Sequence, residues 1–204
     1  MSKVDPVFCN NASRLQAYRA LRNSLVHYPR GGTPEPIAEP RMDIVEDYSR
    51  LVAYALHPPT ALETIAVRDV FTVTWETPLI QALHHMLPHS FRLAPIVVNG
   101  VLEGIFTEST IVEAAVSEKE ITINESTTFS DFQYFASLER PIRGVSFLPA
   151  EASIVDAEQA FSNAFQQGES ISVLLLTENG RPQEALLGLI TAHDLPSASG
   201  AKVV

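Results

Sequence analysis

The strongest constraint on the fold is an internal echo. Gly104-Ile105-Phe106-Thr107 is a glycine, an apolar pair and a threonine, and Gly188-Leu189-Ile190-Thr191 repeats it. Each threonine runs into a helix-like continuation, Glu108-Ser109-Thr110-Ile111 in one copy and Ala192-His193-Asp194-Leu195 in the other. Upstream, Thr77-Pro78-Leu79-Ile80-Gln81-Ala82 answers Ala152-Ser153-Ile154-Val155-Asp156-Ala157. The apolar run Pro95 to Val98 answers Val173 to Leu176, and Asn99-Gly100 answers Asn179-Gly180. A chain that repeats its features in order is built from copies of one supersecondary unit. The offset is 75 residues at the first helix and 84 at the threonines, so the second copy carries nine extra residues in its loops.

Each copy reads locally as β-α-β-β-α. A short apolar strand, Phe71 to Trp75 or Val145 to Leu148, leads to a helix opened by Thr77-Pro78 or by Ser153. Serine or threonine before the first periodic apolar residue is an N-cap signal, and proline suits the first helical turn. Leu79, Leu83, Met86 and Leu87 have helical spacing, as do Ile154, Ala157, Phe161 and Phe165. A buried strand follows, Pro95 to Val98 or Ile171 to Leu176. Asn99-Gly100 between apolar runs predicts a two-residue hairpin, because both residues adopt positive φ at little cost. The return strand, Val101 to Phe106 or Ala185 to Ile190, ends at the threonine, and a second helix begins there, most clearly over Thr107 to Val116.

The order of elements, closed by Gly-apolar-apolar-Thr-x-x-Asp, resembles the CBS domain, named for cystathionine β-synthase, and two copies resemble a CBS pair or Bateman module. The resemblance covers Ile65 to the C-terminus. It implies an α+β fold of tandem β-α-β-β-α repeats packed sheet to sheet, with an N-terminal helical extension. It also implies two clefts able to hold adenosine-containing ligands such as AMP, ATP, adenosine or S-adenosylmethionine, as regulatory ligands and not as required cofactors. Carried over by position, Asp194 receives the ribose hydroxyls and Thr191 meets phosphate. His193, Ile190 and Val145 are assigned to the same cleft, and Thr107 to the other. In the first copy Thr110 stands where the aspartate belongs, so one ligand per chain is expected, with the Thr107 cleft empty or weak.

Residue chemistry supports two readings of the motif. A carboxylate accepts from vicinal hydroxyls, and each charge-assisted bond contributes about 1.5–3 kcal/mol. A threonine at a helix N-terminus offers a hydroxyl beside free N–H groups that welcome an anion. Thr191-x-x-Asp194 is equally a helix capping box variant that satisfies those N–H groups with no ligand. Thr107-x-x-Thr110 reads as plain capping.

The extension is different in kind. Ser13 to His27 is predicted to be an amphipathic helix with Leu15, Tyr18, Leu21 or Arg22, and Leu25 near one face. Pro29-Arg30-Gly31-Gly32-Thr33-Pro34-Glu35-Pro36 is a breaker cluster and linker. Asp43 to Leu56 resumes helix, with Ile44, Tyr48, Leu51, Val52 and Leu56 on one side, and stops before Pro58-Pro59. Two such helices make no core alone, so they pack on the repeats, on a second subunit or on a partner enzyme or transporter. The division is 1–64 extension and linker, 65–120 first motif, 121–141 inter-repeat linker and 142–204 second motif. Within the linker, Ser130 to Glu139 reads as helix, with Phe132 and Phe135 as packing residues.

Other function classes find little support. A net charge of −10 over 204 residues opposes nucleic-acid or anionic-membrane binding. The single cysteine, Cys9, permits no intramolecular disulfide and suits a reducing cytoplasm. No basic stretch followed by an apolar run marks a leader, and no apolar run reaches the 18 or so residues of a membrane span. His84, His85 and His89 crowd one helix, and His85/His89 have the i, i+4 spacing of a zinc pair. No third ligand completes the set, so no metal site is expected. Arg140, Arg143 and Arg68 are the cations that could turn toward a ligand. Asp156 and Glu158 read as a solvated helix face. No nucleophile elbow, phosphate loop or dinucleotide fingerprint occurs, and the chain reads as a homodimeric regulatory protein and not an enzyme.

Overall fold

The computed structural model describes residues 11–26, 39–117 and 122–195. The described residues divide into two compact units, one within residues 60–195 and one holding residues 11–26 and 39–59. Cys9, His27 and the Pro29–Pro36 linker lie outside the described residues.

The smaller unit holds two helices, α1 (Ala12–Val26) and α2 (Met42–Leu56). The Arg14 guanidinium donates to both carboxylate oxygens of Asp47, at 2.7 and 2.6 Å, and the Tyr18 hydroxyl donates to the same carboxylate. The guanidinium, foremost, holds the Asp47 carboxyl below its ordinary range. Tyr18 and Tyr48 meet edge to face at 5.1 Å. α1 buries no residue and α2 only Leu51.

In the larger unit the Asn99-Gly100 turn forms as expected, with φ of 52° and 82°. It joins β1 (Leu93–Val98) to β2 (Val101–Thr107) in antiparallel register from Val98↔Val101 to Leu93↔Thr107. The predicted strand Phe71 to Trp75 is reduced to one residue, Val73, bridged parallel to Ile96. The backbone turns away immediately afterwards, where the Thr77 hydroxyl accepts from the Thr74 N–H at 2.9 Å. Thr77 is therefore spent on that turn and does not cap α4 (Leu79–Met86), whose N-cap position is Pro78. The second repeat is fuller. Strand β3 (Val145–Pro149) pairs parallel with β4 (Val173–Thr177), which pairs antiparallel with β5 (Leu186–Thr191).

Between β3 and β4 runs α7 (Ile154–Gln166). Ser153 caps it as predicted, its Oγ accepting from the Asp156 N–H at 3.2 Å, and Asp156, read from sequence as part of a solvated face, accepts in return from the Ser153 N–H at 2.8 Å. Asp156 is thus a capping residue. Glu158 is half-buried, and desolvation pushes its carboxyl up, so it is no ordinary solvated face. The buried stripe of α7 ends on Ala164, leaving Phe165 85% exposed, and Leu87 is likewise 74% exposed just past α4.

Each repeat is completed by a strap from the linker before the other. Helix α3 (Ala61–Thr64) and the residues after it lie on the second repeat, through Ala61 N–H to Ala152 O and the antiparallel bridge Val67↔Leu189. The 3-10 turn Phe129–Phe132 and α6 (Gln133–Ala136) lie on the first, through Ser130 N–H to Trp75 O and the bridge Gly104↔Ser137. The predicted Ser130–Glu139 helix is this shorter pair of turns. Phe106 meets Phe129 and Phe132 edge to face, at 4.9 and 5.4 Å, inside the first core. A second core joins Ala61, Ala157, Leu174, Leu176 and Ile190. A third joins Leu102 and Ile105 of one sheet to Val173 and Leu175 of the other, which is the predicted sheet-to-sheet packing of an α+β repeat pair.

The straps explain the motif glycines. A Cβ at Gly104 would stand 2.6 Å from Trp75 Cη2 and 2.9 Å from the Ala136 carbonyl, and one at Gly188 would stand 3.0 Å from the Val67 carbonyl. The glycine in each return strand makes room for the chain crossing over it.

Candidate functional site

The two threonines end the two return strands. Thr191 lies in one row of the second sheet with Val173 and Val145, so Val145 sits two strands away, about 10 Å at ordinary strand spacing. Gly144, at φ 77°, turns the chain into this rim, and its carbonyl accepts from the Ser172 N–H at 2.7 Å. Neither Gly144 nor Ser172 is legible as a site residue from sequence, because only the register sets them beside Thr191.

Past Thr191 the chain makes a turn over Ala192–Asp194. The Thr191 N–H and hydroxyl both donate to Asp194 Oδ2 at 2.7 Å, and the Asp194 N–H returns to Thr191 O at 3.1 Å. The carboxylate is half-buried, and its Oδ1 accepts no bond among the described residues. His193 is exposed in the same turn. Ile190 is fully buried in the second core, so its side chain faces the packing and only its backbone is at the rim. Asp194, Thr191 and His193 thus share one turn, and Val145 lies at the same end of the sheet on the opposite edge strand. The residues after Leu195, where a second helix is predicted, lie outside the described residues.

Thr107 occupies the matching place in the other sheet, paired with Leu93 and opening α5 (Glu108–Ala115). Its N–H donates to Thr110 Oγ1 at 3.0 Å, and the two hydroxyls stand 3.3 Å apart. Thr110 is buried and performs with a neutral hydroxyl what Asp194 performs with a carboxylate.

Among the arginines, Arg140 is engaged, 3.8 Å from Glu113 and 5.3 Å over the Tyr134 ring. Arg143 is exposed two residues before Val145, and Arg68 holds the equivalent position in the first repeat. The three histidines do not share one helix, because α4 ends at Met86 and His89 lies in the turn after it; His85 lies on Phe71 at 4.5 Å and on His89 at 4.7 Å, and His89 lies on Phe91 at 5.3 Å. His89 Nδ1 is 2.8 Å from the His85 carbonyl, to which it donates. Among the described residues no three His, Cys, Asp or Glu side chains are grouped to hold a metal ion. A cavity of about 350 Å³ lined by Pro78, Ile80, Gln81, His84 and Glu125 includes neither threonine turn. No described helix is long and apolar enough to cross a membrane.

Residues 62–117 match the family model of the CBS domain. No curated protein sequence matches the chain. Among solved structures it is similar to the CBS domain pair of protein MJ0100 in complex with 5'-methylthioadenosine and S-adenosyl-L-methionine, at 17% identity and TM-score 0.45. That match covers 67% of this chain and 92% of the other. It is also similar to protein MJ1225 from Methanocaldococcus jannaschii, at 17% identity and TM-score 0.49 over 72% of this chain and 51% of the other, so it spans about half that protein. An uncharacterized conserved protein from Pyrococcus horikoshii is similar at 14% identity and TM-score 0.47, covering 72% of this chain and 96% of the other. Likeness at this level carries no ligand over to this chain.

Proposed function

We propose that this chain, which matches the CBS domain at residues 62–117 and has a second, three-stranded repeat after it, is a regulatory module that binds an adenosine-containing ligand at Asp194. The observation that carries the reading is the Thr191–Asp194 turn at the edge of the second sheet. One carboxylate oxygen is fixed by two bonds from Thr191, which leaves the other as the acceptor for ribose hydroxyls. The Thr191 hydroxyl and exposed Arg143 supply the polar surroundings for a phosphate or other polar group. A net charge of −10 disfavours triphosphates, so AMP, adenosine or S-adenosylmethionine suits the site better than ATP. Binding biases the packing of the two repeats or of two chains, and a partner enzyme or transporter reads the change, provided the ligand prefers one arrangement. The protein is then a cytoplasmic sensor and not a catalyst.

Asp194→Asn separates binding from capping. The amide oxygen still accepts from the Thr191 N–H, while the charge-assisted bond to ribose is lost. Calorimetry should show one site per chain, weakened about 10- to 100-fold by the substitution. At about a hundred times its Kd the ligand adds roughly 2.7 kcal/mol, a rise of about 5–10 °C in midpoint. Two equivalent sites per chain, or a site that survives Asp194→Asn and dies with Thr107→Ala, would overturn the assignment.

A second reading has its own support. The same i to i+3 bond closes Ser153/Asp156 and Thr128/Asp131, where it serves only as a cap. On that reading the repeats are a dimerisation scaffold and Asp194 is one more cap. If no adenosine compound moves the unfolding midpoint, the scaffold reading stands and the sensor is discarded.

A further inference from the structure

The helices α1 and α2 present an apolar groove of about 450 Å³ whose lining includes Leu15, Leu21, Val26, Val45 and Tyr48, with Arg19 on its α1 side. Leu21, Val26, Met42, Val45, Tyr48 and Leu56 are all exposed. A two-helix layer has no interior, and this one buries only Leu51 across thirty helical residues. Apolar surface concentrated in this way marks a contact site. The charges on the two helices say what kind of surface it meets. α1 carries Arg14, Arg19 and Arg22 and no acidic residue, whereas α2 carries Asp43, Glu46 and Asp47 against Arg50. The hairpin is therefore positive along one helix and negative along the other.

We propose that the α1–α2 hairpin docks on the same hairpin of a second copy, α1 of one chain against α2 of the other, as a four-helix bundle. A twofold axis parallel to the helices sets α1 of each chain on α2 of the other, and that symmetric contact complements itself. The opposite signs then alternate around the bundle, whereas α1 against α1 would set three arginines against three. The intrachain bonds from Arg14 and Tyr18 to Asp47 hold the two helices in register before they dock. Four amphipathic helices close a core that two cannot. The contact is independent of the ligand reading, and a scaffold would use it equally.

The test is sedimentation of the full chain. Leu21→Glu combined with Val45→Glu puts carboxylates on exposed groove positions and should weaken a micromolar dimer at least tenfold, while near-ultraviolet circular dichroism of the Trp75 core stays unchanged. Val116→Glu, on exposed surface just past α5, should leave the dimer intact. Added salt should weaken association, because the alternating charges are screened. A wild-type monomer, a dimer indifferent to Leu21→Glu/Val45→Glu, or a dimer lost only with Val116→Glu would overturn the proposal. The last two outcomes place the contact on the repeats.

Discussion

Gly104→Ala tests the packing of strap on return strand directly. The new methyl carbon would lie 2.6 Å from Trp75 Cη2, 2.9 Å from Cζ2 and 2.9 Å from the Ala136 carbonyl oxygen. None of these can yield cheaply. The indole is buried and tethered by its Nε1 donating to Glu103 Oε2 at 2.7 Å, and Ala136 is buried main chain. Overpacking of this kind costs about 1–3 kcal/mol. Replacing a strand glycine with alanine returns roughly 0.5–1 kcal/mol of chain entropy. The difference leaves a loss of about 0.5–2 kcal/mol, or roughly 1–8 °C in the unfolding midpoint at this chain length. Gly188→Ala meets one backbone oxygen at 3.0 Å and otherwise ordinary contacts, so its loss should be smaller. Trp75→Phe vacates the atoms nearest the new methyl, so the double variant should be more stable than the sum of the single losses by about 0.5 kcal/mol or more. Differential scanning calorimetry of the four proteins decides. Strict additivity, or a larger loss at Gly188 than at Gly104, would refute the account.

Ser153→Ala removes a cap bond at the start of α7 and should lower stability by about 0.5–2 kcal/mol, read as a shift in urea midpoint at unchanged m-value. Two carboxylates should give opposite pH signatures. Burial raises the Glu158 carboxyl, so its contribution is full below the unfolded pKa and is lost as pH rises through the folded one. Glu158→Gln should therefore gain on wild type from about pH 4 upward. The Asn179 N–H, foremost, lowers the Glu184 carboxyl, so its contribution is present above the unfolded pKa and lost as pH falls through the folded one. Glu184→Gln should lose to wild type at neutral pH and match it in acid. Unfolding curves over that range check both, and parallel pH profiles would contradict them.

What was legible in the sequence is what short-range chemistry decides. Asn99-Gly100 needs positive φ and Ser153 opens its helix as the N-cap, and both are as expected. What was not legible depends on partners far along the chain. Local pattern marked Phe132 and Phe135 as packing residues but not what they pack on, and Ala61 and Phe129 become core because the opposite repeat receives them. Asn179-Gly180 looks like a copy of the first hairpin but sits in a longer loop. Glu184 gathers that loop by accepting from the Asn179 N–H at 2.8 Å and its side-chain amide at 3.0 Å. His85 and His89 read as a polar helix face, yet they stack with Phe71 and Phe91, which no local spacing shows. At the candidate site the motif located Thr191 and Asp194, but only register put Val145 in the same row, two strands away.

The motif is weak evidence alone for a physical reason visible throughout the larger unit. A backbone N–H donates to the side-chain oxygen three residues on at Thr74/Thr77, Thr107/Thr110, Asn124/Thr127, Thr128/Asp131, Ser153/Asp156 and Thr191/Asp194. Wherever a strand or loop gives way to a turn, an N–H is left over and a short polar side chain at that spacing satisfies it. A threonine hydroxyl serves as well as a carboxylate, which is why Thr110 holds its turn without the aspartate. Capping therefore asks for an oxygen and is indifferent to charge. An adenosine ligand asks for the charge and for the second oxygen. The difference between Thr110 and Asp194 is thus the place where function and fold make separate demands, and Asp194→Asn changes the charge while leaving the capping oxygen in place.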